Sequence, residues 1–110
     1  MSPNAKPQPR WQQIAVTGSS MQPTLQPGDY VLIRRSSTLN PGQVVLLEDE
    51  KFRLVIKRLI FKSSAGWWVL GDNLAQSIDS RQFGAVAESQ IKGVVVARYW
   101  PKPKFIKSQI

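Results

Sequence analysis

Residues 40–61 read Asn40-Pro41-Gly42-Gln43-Val44-Val45-Leu46-Leu47-Glu48-Asp49-Glu50-Lys51-Phe52-Arg53-Leu54-Val55-Ile56-Lys57-Arg58-Leu59-Ile60-Phe61, and this stretch decides the fold class. Asn-Pro-Gly is turn chemistry, because proline presets φ and glycine accepts positive φ. Gln43 to Leu47 then reads as a strand, since its apolar run is too short for a buried helix. The charged residues Glu48 to Lys51 read as a hairpin-like connection. Phe52 to Phe61 is a second, longer strand, rich in β-branched and aromatic side chains that fit a pleated surface.

The same alternation of turn and short apolar run extends in both directions. Ile14-Ala15-Val16 ends at Gly18, and the turn Gln26-Pro27-Gly28-Asp29 introduces a strand from Tyr30 to Ile33. Ser63 to Gly66 turns the chain into Trp67-Trp68-Val69-Leu70, Gly71 to Gly84 is a long polar loop, and Ile91 to Trp100 is a last strand. Turns recur about every 8–12 residues, the spacing of all-β proteins. Helical periodicity is scarce. One helical turn is expected, from Ser20 to Leu25, and Pro23 limits it. The prediction is an all-β fold, coiled antiparallel sheets forming a partly open barrel. The 110 residues suit a single domain. It is expected over 11–101, between a flexible N-terminal arm at 1–10 and a basic C-terminal tail at 102–110.

Composition narrows the chemistry. The chain has no Cys and no His. Thiol nucleophiles, thiolate metal sites and disulfides are therefore closed to it, and so is a Ser-His-Asp triad. A nucleophilic enzyme of this composition must use Ser or Thr activated by something other than imidazole, with Lys the main candidate. No metal or cofactor is expected. The net charge of +8 attracts polyanions, acidic proteins or anionic lipid, or is simply a solvated basic surface. Nucleic acid is an unlikely partner, because helix-turn-helix, zinc-finger and aromatic RNA-binding patterns are lacking. No apolar run approaches the ~20 residues of a membrane span, nor does the N-terminus read as a signal peptide. The expectation is a soluble, cytoplasmic protein.

Three segments carry candidate chemistry. In Val16-Thr17-Gly18-Ser19-Ser20-Met21-Gln22-Pro23-Thr24-Leu25, a strand ends at a glycine and a turn begins near Ser20. A hydroxyl there lies beside free backbone N–H groups that can stabilise an oxyanion. Equally, Ser19 or Ser20 can be a plain N-cap. Lys57 shares a strand face with Val55, Leu59 and Phe61, where desolvation would lower its pKa as a lysine base requires. The alternative is an edge-strand lysine that deters aggregation. In the loop 71–84, Asp72, Asn73 and Asp79 can form Asx-turns, Asp79 can pair with Arg81, and Ser77 can hydrogen-bond an amine. That loop is either a well-tied surface connection or a support for a catalytic group.

Taken together the segments resemble the type I signal peptidase superfamily. The nucleophile box stands as Gly18-Ser19-Ser20-Met21-Gln22-Pro23-Thr24-Leu25, followed by Pro27-Gly28-Asp29. The lysine box stands as Val55-Ile56-Lys57-Arg58-Leu59, and the third box as Gly71-Asp72-Asn73 with Ser77-Ile78-Asp79-Ser80-Arg81 and Gly84. The terminal strand Ile91 to Pro101 also looks like the family's, so the resemblance covers nearly all of residues 14–101. It implies a serine endopeptidase in which Ser20 attacks the scissile carbonyl and neutral Lys57 takes its proton. The Ser20 N–H would form part of the oxyanion hole, and Gly18 stands where some members carry a hydroxyl as second donor. Ser77 would orient Lys57, Asp79 and Arg81 would hold the loop, and Met21 would pack beneath the nucleophile. The substrate would lie extended against sheet edges, with small pockets for P1 and P3.

The chain most resembles the short relatives that mature nickel-type superoxide dismutase. The expected partner is thus a precursor protein with an N-terminal leader. Two other readings are carried forward. One is a signal peptidase acting on exported preproteins, reaching membranes peripherally through Trp100, Lys102, Lys104 and Lys107. The other is a non-catalytic basic binding module on the same fold.

Overall fold

A computed structural model of the chain describes residues 10–108. The expected N-terminal arm, apart from Arg10, lies outside the described residues, as does the end of the basic tail. Seven strands form in order: β1 (Trp11–Ala15), β2 (Tyr30–Arg34), β3 (Val44–Glu48), β4 (Leu54–Ser63), β5 (Gly66–Leu70), β6 (Ile91–Trp100) and β7 (Lys104–Phe105). A four-residue helical turn, α1 (Ser80–Phe83), and two 3-10 turns lie between β5 and β6. All pairings are antiparallel, in one open sheet of order β1-β2-β6-β3-β4-β5, with β7 added on β6. The architecture is all-β, as the turn spacing predicted.

The apolar run of β3 organises the core. Successive strand side chains point to opposite faces, yet Val44, Val45, Leu46 and Leu47 are all buried. Val44 and Leu46 join Val16, Met21, Leu25, Val31, Ile33, Ile56 and Val95 on one side. Val45 and Leu47 join Leu59, Trp67, Val69, Val86 and Val94 on the other. A strand buried on both faces must read as continuous apolar residues, and each such side chain contributes about 1.5–3 kcal/mol. The ten residues of β6 make the rest possible. One edge of β6 pairs with β2, while the other takes β3 at its beginning and β7 further along.

Three expectations are corrected. In β4 the register steps from Leu59↔Val69 to Phe61↔Trp68, so Ile60 is an extra residue. This bulge reverses the alternation, turning Phe61 away from the Lys57 face to stack on Trp68 with ring centroids 5.8 Å apart. The segment from Ser20 to Leu25 forms hydrogen-bonded turns and no helix; the helical turn lies at α1 instead, where Asp79 caps it. The basic tail does not simply trail away. Beyond Pro101 the chain returns as β7, Ile106 donates its N–H to the Val96 carbonyl, and its side chain packs against the core.

Candidate active site

The loop joining β1 to β2 is tied at its base by reciprocal backbone bonds, Val16 N–H to Asp29 O and Gly28 N–H to Val16 O. Its apolar side chains Met21 and Leu25 sink into the core, 2% and 0% exposed. These anchors hold Ser20 at the protein surface. Gly18 takes φ of +73°, a left-handed conformation that side-chain-bearing residues rarely adopt. Asn73 clamps the loop from the other side. Its N–H donates to the Ser20 carbonyl at 2.8 Å and its Nδ2 donates to the Ser19 carbonyl at 3.0 Å. With its carbonyl engaged, the Ser20 peptide is fixed. Among the described residues its own N–H carries no hydrogen bond.

Lys57 sits in the middle of β4, directly opposite Val45, on the face shared by Val55 and Leu59. It is only 5% exposed, and its Nζ lies 3.0 Å from Ser20 Oγ. Burial pushes its pKa below the ordinary lysine value, and the charge of Asp79 only partly opposes this. The amine is thereby biased toward the neutral form that can accept a hydroxyl proton.

Asp79 is fully buried and organises the third segment. Burial alone would raise its pKa. Hydrogen bonds from the Arg81 side chain, the Gly71 N–H, the Ser77 hydroxyl and the Arg81 N–H outweigh that cost and bring it down to about 2. Ser77 Oγ donates to Asp79 Oδ2 at 2.7 Å and the Gly71 N–H to the same oxygen at 3.0 Å. Ser77, which the family resemblance casts as orienting Lys57, is thus itself held by Asp79. A parallel network ties β4 to the loop. Arg58 makes a two-pronged pair with Asp72, Nε to Oδ1 at 2.8 Å and Nη2 to Oδ2 at 2.7 Å, and its Nη1 donates to the Gly42 carbonyl. Thr24 donates to the same carboxylate, and the Asp72 N–H approaches Met21 Sδ at 3.5 Å.

Ser20 and Lys57 open onto a cleft of about 490 Å³. Leu47, Val55, Ile78, Phe83, Ala85 and Val86 supply its apolar lining, and the β3–β4 turn from Asp49 to Arg53 forms a charged rim. Among the described residues no cluster of three or more His, Cys, Asp or Glu could hold a metal ion. A buried amine, a hydroxyl at hydrogen-bond distance and an unused N–H beside an apolar cleft are the parts of a nucleophilic acyl-transfer site.

The family model described as "Peptidase S24-like" matches residues 5–96. The chain belongs to the Peptidase S24-like family. Its curated relatives include mitochondrial inner membrane protease subunit 1 of Saccharomyces cerevisiae, 39% identical over 74 residues. That match spans 67% of this chain but 37% of the yeast protein. Mitochondrial ATP-independent inner membrane protease subunit 1a of Arabidopsis thaliana is 32% identical over 82% of this chain and 71% of its own length. Signal peptidase I of Bacillus caldolyticus is 55% identical over 38 residues, covering 34% of this chain and 21% of that protein. These relatives agree with the resemblance to type I signal peptidases.

Every predicted site residue of this S24-like chain lies in or under one constellation. Gly18, Ser20 and Lys57 line the cleft, Met21 supports the nucleophile loop, and Ser77, Asp79 and Arg81 form the bonded group behind it. Sequence reasoning did not assign roles to Gly71, Ser80, Thr24 or Arg58. Ser80 Oγ accepts the Val69 N–H at 2.8 Å and so joins α1 to β5. An added Cβ at Gly71 would meet Ser77 Oγ at 2.3 Å and the Ser20 carbonyl oxygen at 2.6 Å. The signal for Arg58 was available, because an arginine within an apolar strand needs a buried acceptor, and Asp72 opens the one polar loop nearby.

Proposed function

We propose that this chain is a serine endopeptidase that removes an N-terminal leader from a precursor protein. The observation that carries the reading is the 3.0 Å approach of Lys57 Nζ to Ser20 Oγ, with the lysine buried. In the proposed cycle Ser20 Oγ bonds to the scissile carbonyl carbon while its proton passes to neutral Lys57. The oxyanion takes the Ser20 N–H, which no other acceptor occupies. Collapse breaks the C–N bond, and Lys57 returns the proton to the leaving amine. Lys57 then takes a proton from water, whose oxygen attacks the ester, and the Ser20 hydroxyl is regenerated. Asp79, through Ser77 and Gly71, acts as a positioning group for this pair.

The precursor class is supported by the motif resemblance and by relatives named as signal peptidase and inner membrane protease. Within that class a nickel-type superoxide dismutase precursor, met in the cytoplasm, is our specific substrate proposal. It rests on the family resemblance alone. A second reading, cleavage of exported preproteins at a membrane surface, is favoured by the exposed aromatic group of Tyr30, Tyr99 and Trp100. Both precursors are to be incubated with the unaltered protein and with Ser20→Ala and Lys57→Ala. Removal of the dismutase leader, reduced at least ~10³-fold in both variants, is the expected result. Cleavage of the preprotein alone replaces that substrate with the second reading, and cleavage that persists in Ser20→Ala removes the nucleophile assignment.

A further inference from the structure

A second hollow, of about 670 Å³, is lined by Arg10, Arg34, Arg35, Ser36 and Ser37. We infer that it binds an oxyanion of the phosphate type. Among the described residues its lining is three arginines and two serines, with no Asp or Glu. Elsewhere arginines are matched to acids: Arg53 to Asp49, Arg58 to Asp72, Arg81 to Asp79 and Arg98 to Asp29. Arg10 and Arg34 have no such match among the described residues.

Backbone pairing brings these residues to one end of the β1–β2 ladder. Trp11↔Arg34 is the last pair of the β1–β2 ladder, and the Arg35 N–H donates to the Arg10 carbonyl at 2.8 Å just beyond it. Planar guanidinium forks suit phosphate oxygens in two-pronged geometry. Ser36 is already committed, its Oγ donating to the Thr38 carbonyl and accepting the Thr38 N–H. That turn presents Ser37 to the hollow.

The hollow is separate from the cleft. β1 and β2 run from the Ser20 loop to these arginines, a separation of roughly 13 Å at about 3.3 Å per residue. The two sites share no lining residue. Trp11, directly opposite Arg34 and 48% exposed, adds an amphipathic ring beside the cations. The same chemistry serves a free phosphate compound or a phospholipid headgroup.

The test is a titration of the isotope-labelled protein with inorganic phosphate at low ionic strength, following backbone amide shifts. Saturable shifts at residues 10 and 34–37 are expected, with binding about tenfold weaker in Arg10→Gln/Arg34→Gln. Lys62→Gln/Lys92→Gln removes the same charge outside both sites and should leave binding unchanged. Flotation with phosphatidylcholine vesicles, with and without phosphatidylglycerol, separates the sources. Arginine-dependent flotation with the anionic vesicles assigns a lipid headgroup. Phosphate saturation without flotation assigns a free phosphate compound. Equal loss in both variants, or no saturable binding to either probe, overturns the proposal.

Discussion

Gly71→Ala should damage catalysis although neither Ser20 nor Lys57 is replaced. The added methyl would arrive 2.3 Å from Ser77 Oγ, 2.6 Å from Ser77 Cβ and 2.6 Å from the Ser20 carbonyl oxygen. Contacts of this kind essentially never fall below 3.0 Å, so the Ser20 carbonyl must retreat by at least 0.4 Å and Ser77 Oγ by at least 0.7 Å. Neither has an easy escape. The carbonyl is held by the Asn73 N–H, and the hydroxyl is held by buried Asp79. Overpacking at such a point costs about 1–3 kcal/mol, and a melting temperature lower by roughly 4–8 °C for each kcal/mol should report it. A misplacement of about 1 Å costs on the order of 100-fold in rate, so a shift of this size should lower kcat on the order of tenfold while KM changes little. Steady-state cleavage of a processed precursor, with circular dichroism to confirm folding, measures both. A folded Gly71→Ala protein with unaltered kcat would refute the view that Gly71 sets the position of the nucleophile.

Two further outcomes follow from the charged groups. Because burial lowers the Lys57 pKa and the neutral amine is the active form, activity should rise with pH through a midpoint below 10.5 and be lost as pH falls; a pH–rate profile whose midpoint stands at or above 10.5 contradicts this. Asp79 is depressed from 3.8 to about 2, so its carboxylate contributes about 2 kcal/mol above pH ~4, lost as the pH falls toward 2; urea unfolding at pH 7 and pH 2.5 should show this increment in the unaltered protein and not in Asp79→Asn.

The strands were legible because each is short, apolar and bounded by Gly, Pro, Asn or Asp. The run 44–47 signalled its burial on two faces directly. The bulge at Ile60 was not legible, since Leu59, Ile60 and Phe61 are apolar throughout and any register satisfies their pattern. The turn at 20–25 was misread because Ser and Pro signal a helix start locally, whereas tertiary anchors at Met21 and Leu25 decide the path. The α1 turn hid inside a polar loop, although Asp79 with Gln82 three residues on is a capping pattern. The pairing of Ser20 with Lys57 could be argued only from ordered motifs, because the two residues are 37 positions apart and local periodicity is blind to that separation. The role of Gly71 lay in a close approach between segments, which no sequence pattern encodes.

The position of β6 also sets when the sheet can close during synthesis. In the sheet, β2, which follows the Ser20 loop, and β3, which precedes Lys57, are not neighbours; β6 lies between them and is made from residues 91–100. A ribosome emits the nucleophile and the amine early, but the strand that joins their two halves emerges almost last. At about 5–20 residues per second, seconds separate the appearance of Lys57 from that of Trp100, and through that interval the two halves lack their joining strand. Until β6 pairs with both, β2 and β3 have no backbone ladder between them, so the sheet that carries the Ser20 loop and Lys57 is completed only near the end of synthesis.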